Sequence, residues 1–151
     1  MKLLGYSVGI VSGGFTDFTD WLAAELDLDH AVANQLEIRD GVLTGEVIGK
    51  VVDRKRKAAL LKQFAAQEMV PLSQTVAVGD GANDLDMLAV AGLGIAFNAK
   101  PVVQRAADTT VNVPYLDAIL FVLGVTRRKS NGPTFSCPTD FLPLFTTQFP
   151  G

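Results

Sequence analysis

Three short apolar runs, SVGIV (7–11), TVAVGD (75–80) and GLGIAF (92–97), are separated by stretches in which apolar residues recur every three or four positions. The runs are rich in Val and Ile and close on Gly, Asp or Asn, the pattern of strands buried on both faces. FTDWLAAELDL (18–28), RKRKAALLKQFAAQ (54–67) and NDLDMLAVAGL (83–93) carry the helical periodicity. Alternation of this kind predicts an α/β fold: a doubly wound, Rossmann-like parallel sheet with helices on its faces. EIRDGVLTGEVIG (37–49) interrupts the alternation with a predicted β-hairpin turning at Asp40-Gly41. TTVNV (109–113) and a helix from Tyr115 to about Val125 complete the pattern, and no internal repeat is present.

Length and composition fit this reading. A chain of 151 residues is long enough for one domain with a real core. Its 48% hydrophobic content and mean hydropathy of +0.28 fit either buried strands or a membrane segment. A membrane-spanning helix needs roughly 18–20 nearly uninterrupted apolar residues. The best candidate, AILFVLGV (118–125), falls far short of that, so no membrane partner is expected. MKLLGYSVGIVSGG runs into Phe15 without a small-x-small cleavage pattern, so secretion is not expected either. A net charge of −3, a pI near 5.0 and a single short basic cluster, Arg54–Lys57, argue against nucleic acid as a partner. The one cysteine, Cys137, excludes an internal disulfide and a Cys-based zinc site, in keeping with a cytoplasmic location.

Composition changes after Arg127-Arg128-Lys129. The last stretch holds four of the seven prolines and four of the nine phenylalanines. Pro at this spacing opposes both helix and interior strand. The expected organisation is therefore a core over residues 1–128 and a Pro- and Phe-rich tail, 129–151, outside the fold.

Chemistry concentrates where the predicted strands end. Ligands of open α/β sheets bind at the carboxyl ends of the strands. Ser12-Gly13-Gly14 follows the first run, and a helix begins near Thr16 and Asp17. A hydroxyl, approachable backbone amides and a helix N-terminus there suit phosphate, although an ordinary strand-to-helix turn has the same look. Asp80 and Asp84 flank Asn83 at the start of the helix after the second run. Two close carboxylates repel, and a hard cation such as Mg²⁺ relieves the conflict. Asn83 can then donate to a bound anion; helix capping is the other reading of Asn83 and Asp84. Lys57, early in its helix, has the charge to offset a phosphoryl group. The other reading is a solvated helix-surface lysine. Asp86 reads as a solvated helix position and His30, the single histidine, as a loop residue.

Taken in order, VSGGF (11–15), DRKRKAALL (53–61) and GDGANDLDML (79–88) resemble the second, third and fourth motifs of the phosphoserine phosphatases of the haloacid dehalogenase (HAD) superfamily. VANQLEIRDGVLTGEVIG (32–49) is similar to the stretch typical of this branch, and the resemblance spans about Gly5 to Arg128. It implies a Mg²⁺-dependent hydrolase that removes phosphate from L-phosphoserine in serine biosynthesis, through an aspartyl-phosphate intermediate. It further implies that Ser12 and the Gly13 amide bind the phosphoryl oxygens and that Lys57 holds nucleophile and phosphate together. Asp80 would ligate Mg²⁺, Asp84 would hold a metal-bound water, and Asn83 would contact substrate.

The family's first motif, Asp-x-Asp-x-Thr on the first core strand, is not found. Asp27-Leu28-Asp29 has the spacing but is followed by Ala31 where the threonine belongs, and Asp84-Leu85-Asp86 lies inside the fourth motif. The cap between the first two motifs is likewise not seen. The resemblance therefore implies an incomplete HAD core, a C-terminal portion with little activity alone. It also implies strands ending at Ser12 and Asp80 that lack a shared neighbour and are open to pairing with another chain.

Overall fold

The computed structural model describes residues 4–127, 135–136 and 144–147. The alternation read from the sequence is present as β1 (Val8–Phe15), α1 (Thr16–Leu26), β2 (His30–Arg39), β3 (Val42–Ile48), α2 (Arg54–Gln67), β4 (Thr75–Gly79), α3 (Leu85–Val90) and β5 (Leu93–Phe97). The chain continues through α4 (Pro101–Gln104), β6 (Thr109–Val111), α5 (Ala118–Val122), β7 (Thr126–Arg127), β8 (Phe135–Ser136) and β9 (Leu144–Thr147).

Seven strands form one sheet in the order β3-β2-β1-β9-β4-β5-β6. All neighbours are parallel except β2 and β3, which form the antiparallel hairpin. Arg39 pairs with Val42, leaving the two-residue loop Asp40-Gly41 with φ of 49° and 77°. Two consecutive positive φ values match the right-handed twist of the flanking strands, and an Asp-Gly pair tolerates them.

The apolar runs are apolar because both faces of the sheet are covered. All five residues of β4 are buried. Ala77 faces a cluster with Leu60, Leu61 and Phe64 of α2 and Met87 and Leu88 of α3. Its neighbours Val76 and Val78 face the other way, toward Ile95, Val111 and Ile119. Asp53 caps α2, its Oδ1 accepting from Arg56 N at 2.7 Å. The helix expected over 115–125 is shorter. Its first turn closes through i→i+3 bonds to the Tyr115 and Leu116 carbonyls, and Gly124 ends it at φ 72°.

One strand corrects the organisation expected from composition. Leu144–Thr147 lies inside the main sheet, parallel to β1 on one side and β4 on the other. Phe135–Ser136 pairs with Thr126–Arg127, and the rest of 129–151 lies outside the described residues. Tail residues 144–147 (Leu-Phe-Thr-Thr) are β-branched or apolar and contain no proline, so the Pro-based argument does not reach them. β1 and β4 therefore share a neighbour, in place of the open edges expected from the missing strand.

Candidate active site

Ser12-Gly13-Gly14 lies at the C-terminal end of β1, and Asp80 follows β4 directly. With β9 between them, the two strands stand about 9–10 Å apart, two strand spacings. Beyond Asp80 a single 3₁₀ turn, Ala82–Asp84, leads into α3.

Asp84 turns back from this turn beneath the end of β4. Its Oδ1 accepts from Lys57 Nζ at 2.8 Å, and both side chains are 0% exposed. Its Oδ2 accepts from the Gly81 amide at 3.1 Å. A buried charge is tolerated when it is paired and hydrogen-bonded, and Asp84 has a partner on each oxygen. The approach depends on Gly79: a Cβ there would lie 2.5 Å from Asp84 Cβ and 2.7 Å from Oδ2. Burial rules out the solvated-surface reading of Lys57. Asp84 is the N-cap residue of α3 but makes no side-chain cap bond to it; one oxygen pairs with Lys57 and the other closes the 3₁₀ turn through Gly81 N.

The β1 end is irregular. Val11 pairs with Val32 and Phe15 with Asn34, so β1 spends four residues where β2 spends two. The extra residues form a bulge built on Ser12-Gly13-Gly14, a device common beside active sites. Ser12 Oγ accepts from the Gly14 amide at 3.0 Å, so the hydroxyl retains its proton for another acceptor. Asn34, 7% exposed, spans the bulge: Nδ2 donates to Gly13 O at 2.7 Å and Oδ1 accepts from Val52 N at 2.8 Å. Sequence reasoning missed Asn34. The available signal was an amide at an inward position of a Val/Leu-alternating strand, where it needs partners to be buried.

The other expected residues are placed less tightly. Asp80 is half-buried and its carbonyl accepts from Lys100 N at 3.4 Å, while Asn83 is exposed. Asp86 is not simply solvated: Arg54 Nε donates to its Oδ1 at 2.7 Å, and Nη2 to the same oxygen, tying α2 to α3. His30 is the first residue of β2, not a loop residue. Its Nε2 lies 2.7 Å from Glu68 Oε1 and its ring stacks on Phe64 at 4.3 Å, away from this site.

Among the described residues no group of three or more His, Cys, Asp and Glu side chains is arranged to hold a metal ion. A divalent cation held through one carboxylate with water and phosphate oxygens fits the donors better. With Asp84 engaged by Lys57 and Gly81, Asp80 is the residue that could supply such a carboxylate.

The sequence model of the haloacid dehalogenase-like hydrolases matches residues 3–89. The chain belongs to this family. Among family relatives, a phosphoserine phosphatase of Streptomyces coelicolor is 66% identical over 129 residues, covering 85% of this chain and 32% of the relative. Phosphoserine phosphatase SerB2 of Mycobacterium tuberculosis is 58% identical over 127 residues, covering 84% and 31%. The chain thus spans about a third of the length of these two relatives. The HAD fold is equally clear in solved structures. An unliganded probable phosphoserine phosphatase of Vibrio cholerae superposes with TM-score 0.76 at 50% identity, covering 80% of this chain and 37% of that one. A phospho-aspartyl intermediate analogue of phosphoserine phosphatase gives 0.76 at 45%, covering 80% and 58%. No helix among the described residues is long and apolar enough to cross a membrane.

Proposed function

We propose that these residues form the phosphate- and Mg²⁺-binding part of a phosphoserine-phosphatase-type hydrolase, one that releases phosphate from L-phosphoserine in cytoplasmic serine biosynthesis. The observation that carries the reading is the buried Lys57–Asp84 pair at the foot of the Asp80 turn. A desolvated ammonium paired with a buried carboxylate is costly to maintain, and it suits a site that must receive a doubly charged phosphoryl group.

Each residue then has a role. Ser12, its oxygen already engaged by Gly14 N, directs its proton to a phosphoryl oxygen, and the Gly13 amide supports it. Lys57 offsets the phosphoryl charge from below, with Asp84 fixing its ammonium. Asp80 would hold Mg²⁺, whose charge offsets that of the phosphoryl oxygens. Asp84 would orient water on that ion, and exposed Asn83 would contact the substrate. Relatives at 66% and 58% identity named as phosphoserine phosphatases support L-phosphoserine over other phosphomonoesters.

The test is thermal denaturation of the 151-residue protein with Mg²⁺, inorganic phosphate, or both. Ligand at 100 times its Kd stabilises by about 2.7 kcal/mol. A rise with Mg²⁺ that disappears in Asp80→Asn supports the assignment. Unchanged melting with both ligands at millimolar concentration would overturn it. Turnover of L-phosphoserine by this protein is expected to stay at background, since Leu144–Thr147, the strand between the two halves of the site, carries no carboxylate.

A further inference from the structure

We infer that Asn34 is a positioning residue for the anion site: it sets the orientation of the Ser12 hydroxyl and ties that loop to the helix bearing Lys57. The inference rests on the phosphate-site reading of Ser12 given above. Between Val11 and Phe15 the β1–β2 pairing skips residues, so the Gly13 carbonyl has no β2 backbone partner in register. Asn34 supplies one from its side chain, with Nδ2 donating to Gly13 O at 2.7 Å.

A trans peptide is planar, and its carbonyl and N–H point in opposite directions. Fixing Gly13 O toward Asn34 therefore fixes the Gly14 N–H away from it. That N–H meets Ser12 Oγ at 3.0 Å. The acceptor side of the hydroxyl is thereby engaged, and its single proton is left to donate outward. A free peptide flip at two successive glycines would abolish this arrangement, because neither Gly13 nor Gly14 resists rotation.

The other end of the same amide acts on Lys57. Asn34 Oδ1 accepts from Val52 N at 2.8 Å, in the residue preceding the α2 cap, Asp53. Lys57 N donates to Asp53 O at 3.0 Å, so the first helical turn starts at the residue next to the one Asn34 anchors. One buried side chain thus spans the two sources of positive potential in the site, and it touches neither the expected ligand nor the metal position. An amide suits this and an ionised carboxylate does not, since one end must donate and the other accept.

Asn34→Asp separates the two contacts. It is isosteric and keeps an acceptor for Val52 N, but an ionised carboxylate cannot donate to Gly13 O. Inorganic phosphate and Mg²⁺ binding are measured by calorimetry well below the melting temperature, with circular dichroism confirming the fold. The expected result is phosphate affinity at least tenfold weaker with Mg²⁺ affinity unchanged within twofold. General loosening would weaken both. A folded Asn34→Asp protein that binds phosphate within twofold of the wild type would overturn the inference.

Two further measurements keep the idea exposed to failure. If the wild type binds no phosphate, the functional reading fails, and this one is judged by amide exchange: Gly14 should exchange at least tenfold faster in Asn34→Asp while Val52 is unchanged. Equal Gly14 rates would sink it. If the variant does not fold, the wild-type Asn34 side-chain amide is followed by NMR. Its protons should exchange far more slowly than those of exposed Asn83, and equal rates would refute the clamp.

Discussion

Lys57 Nζ stands 2.8 Å from Asp84 Oδ1, with both side chains wholly shielded from solvent. The pair joins the first turn of α2 to the turn ahead of α3, so it fixes the spacing of the helices as well as the charge of the site. Removing one partner of such a pair strands the other, at about 3–5 kcal/mol. Lys57→Met should therefore lower the free energy of unfolding by that amount, measured by urea denaturation. The Lys57→Met/Asp84→Asn double variant should lose less than the sum of the two singles, because the stranded charge is gone. Strict additivity would mean that the two groups do not interact.

Gly79 exists for Asp84. An added Cβ would stand 2.5–2.7 Å from three atoms of a side chain held by both Lys57 and the Gly81 amide. Neither partner can give way cheaply, so Gly79→Ala should cost about 1–3 kcal/mol, the range for overpacked cores. Gly13→Ala is the comparison, since its nearest neighbour would be Val52 O at 3.8 Å. Calorimetric melting that ranks the two variants the other way would show that contact with Asp84 is not what requires the glycine at 79.

Most of the architecture was legible because it is local. Val76, Ala77 and Val78 state their double-sided burial in the sequence itself, and Asp40-Gly41 names its own turn. The placement of the candidate site was legible where residue type and strand end coincide, with Ser12 near the end of β1 and Asp80 following β4. Three features were not. The contacts of Asn34 with Gly13 and Val52 span 21 and 18 residues, and no periodicity announces such pairs. His30 gave no sign of Glu68, 38 residues away. The place of Leu144–Thr147 depends on a slot between β1 and β4, a property of the assembled sheet. Four residues of suitable strand formers inside a proline-rich tail cannot reveal it.

Asp53 closes the amide ends of α2 with its side chain, Oδ1 to Arg56 N at 2.7 Å. Loss of such a cap costs about 0.5–2 kcal/mol. Asp53→Ala should therefore destabilise by that amount, and Asp53→Ser should restore most of it because serine caps nearly as well. Since Lys57 lies in this first turn, Asp53→Ala should also weaken phosphate binding. Chemical denaturation with a phosphate titration checks both, and equal instability of the Ala and Ser variants would show that the side-chain bond is not what matters.

The strand from the tail makes the strongest demand on the whole chain. Phe145 pairs with Val8 on one side and Val76 on the other, and Thr146 with Gly9 and Ala77. A chain ending at Arg128 loses this strand, baring backbone donors and acceptors on β1 and β4 at the centre of the sheet. Unpaired edges between two apolar strands recruit other strands, from a second copy if no other is present. The truncated protein should therefore self-associate or lose its cooperative melting transition, whereas the full chain should show a single transition. Size-exclusion chromatography with light scattering and a thermal melt of both proteins distinguish the outcomes. A monomeric truncated protein with an unchanged melting temperature would show that β9 does not hold the two halves of the sheet together.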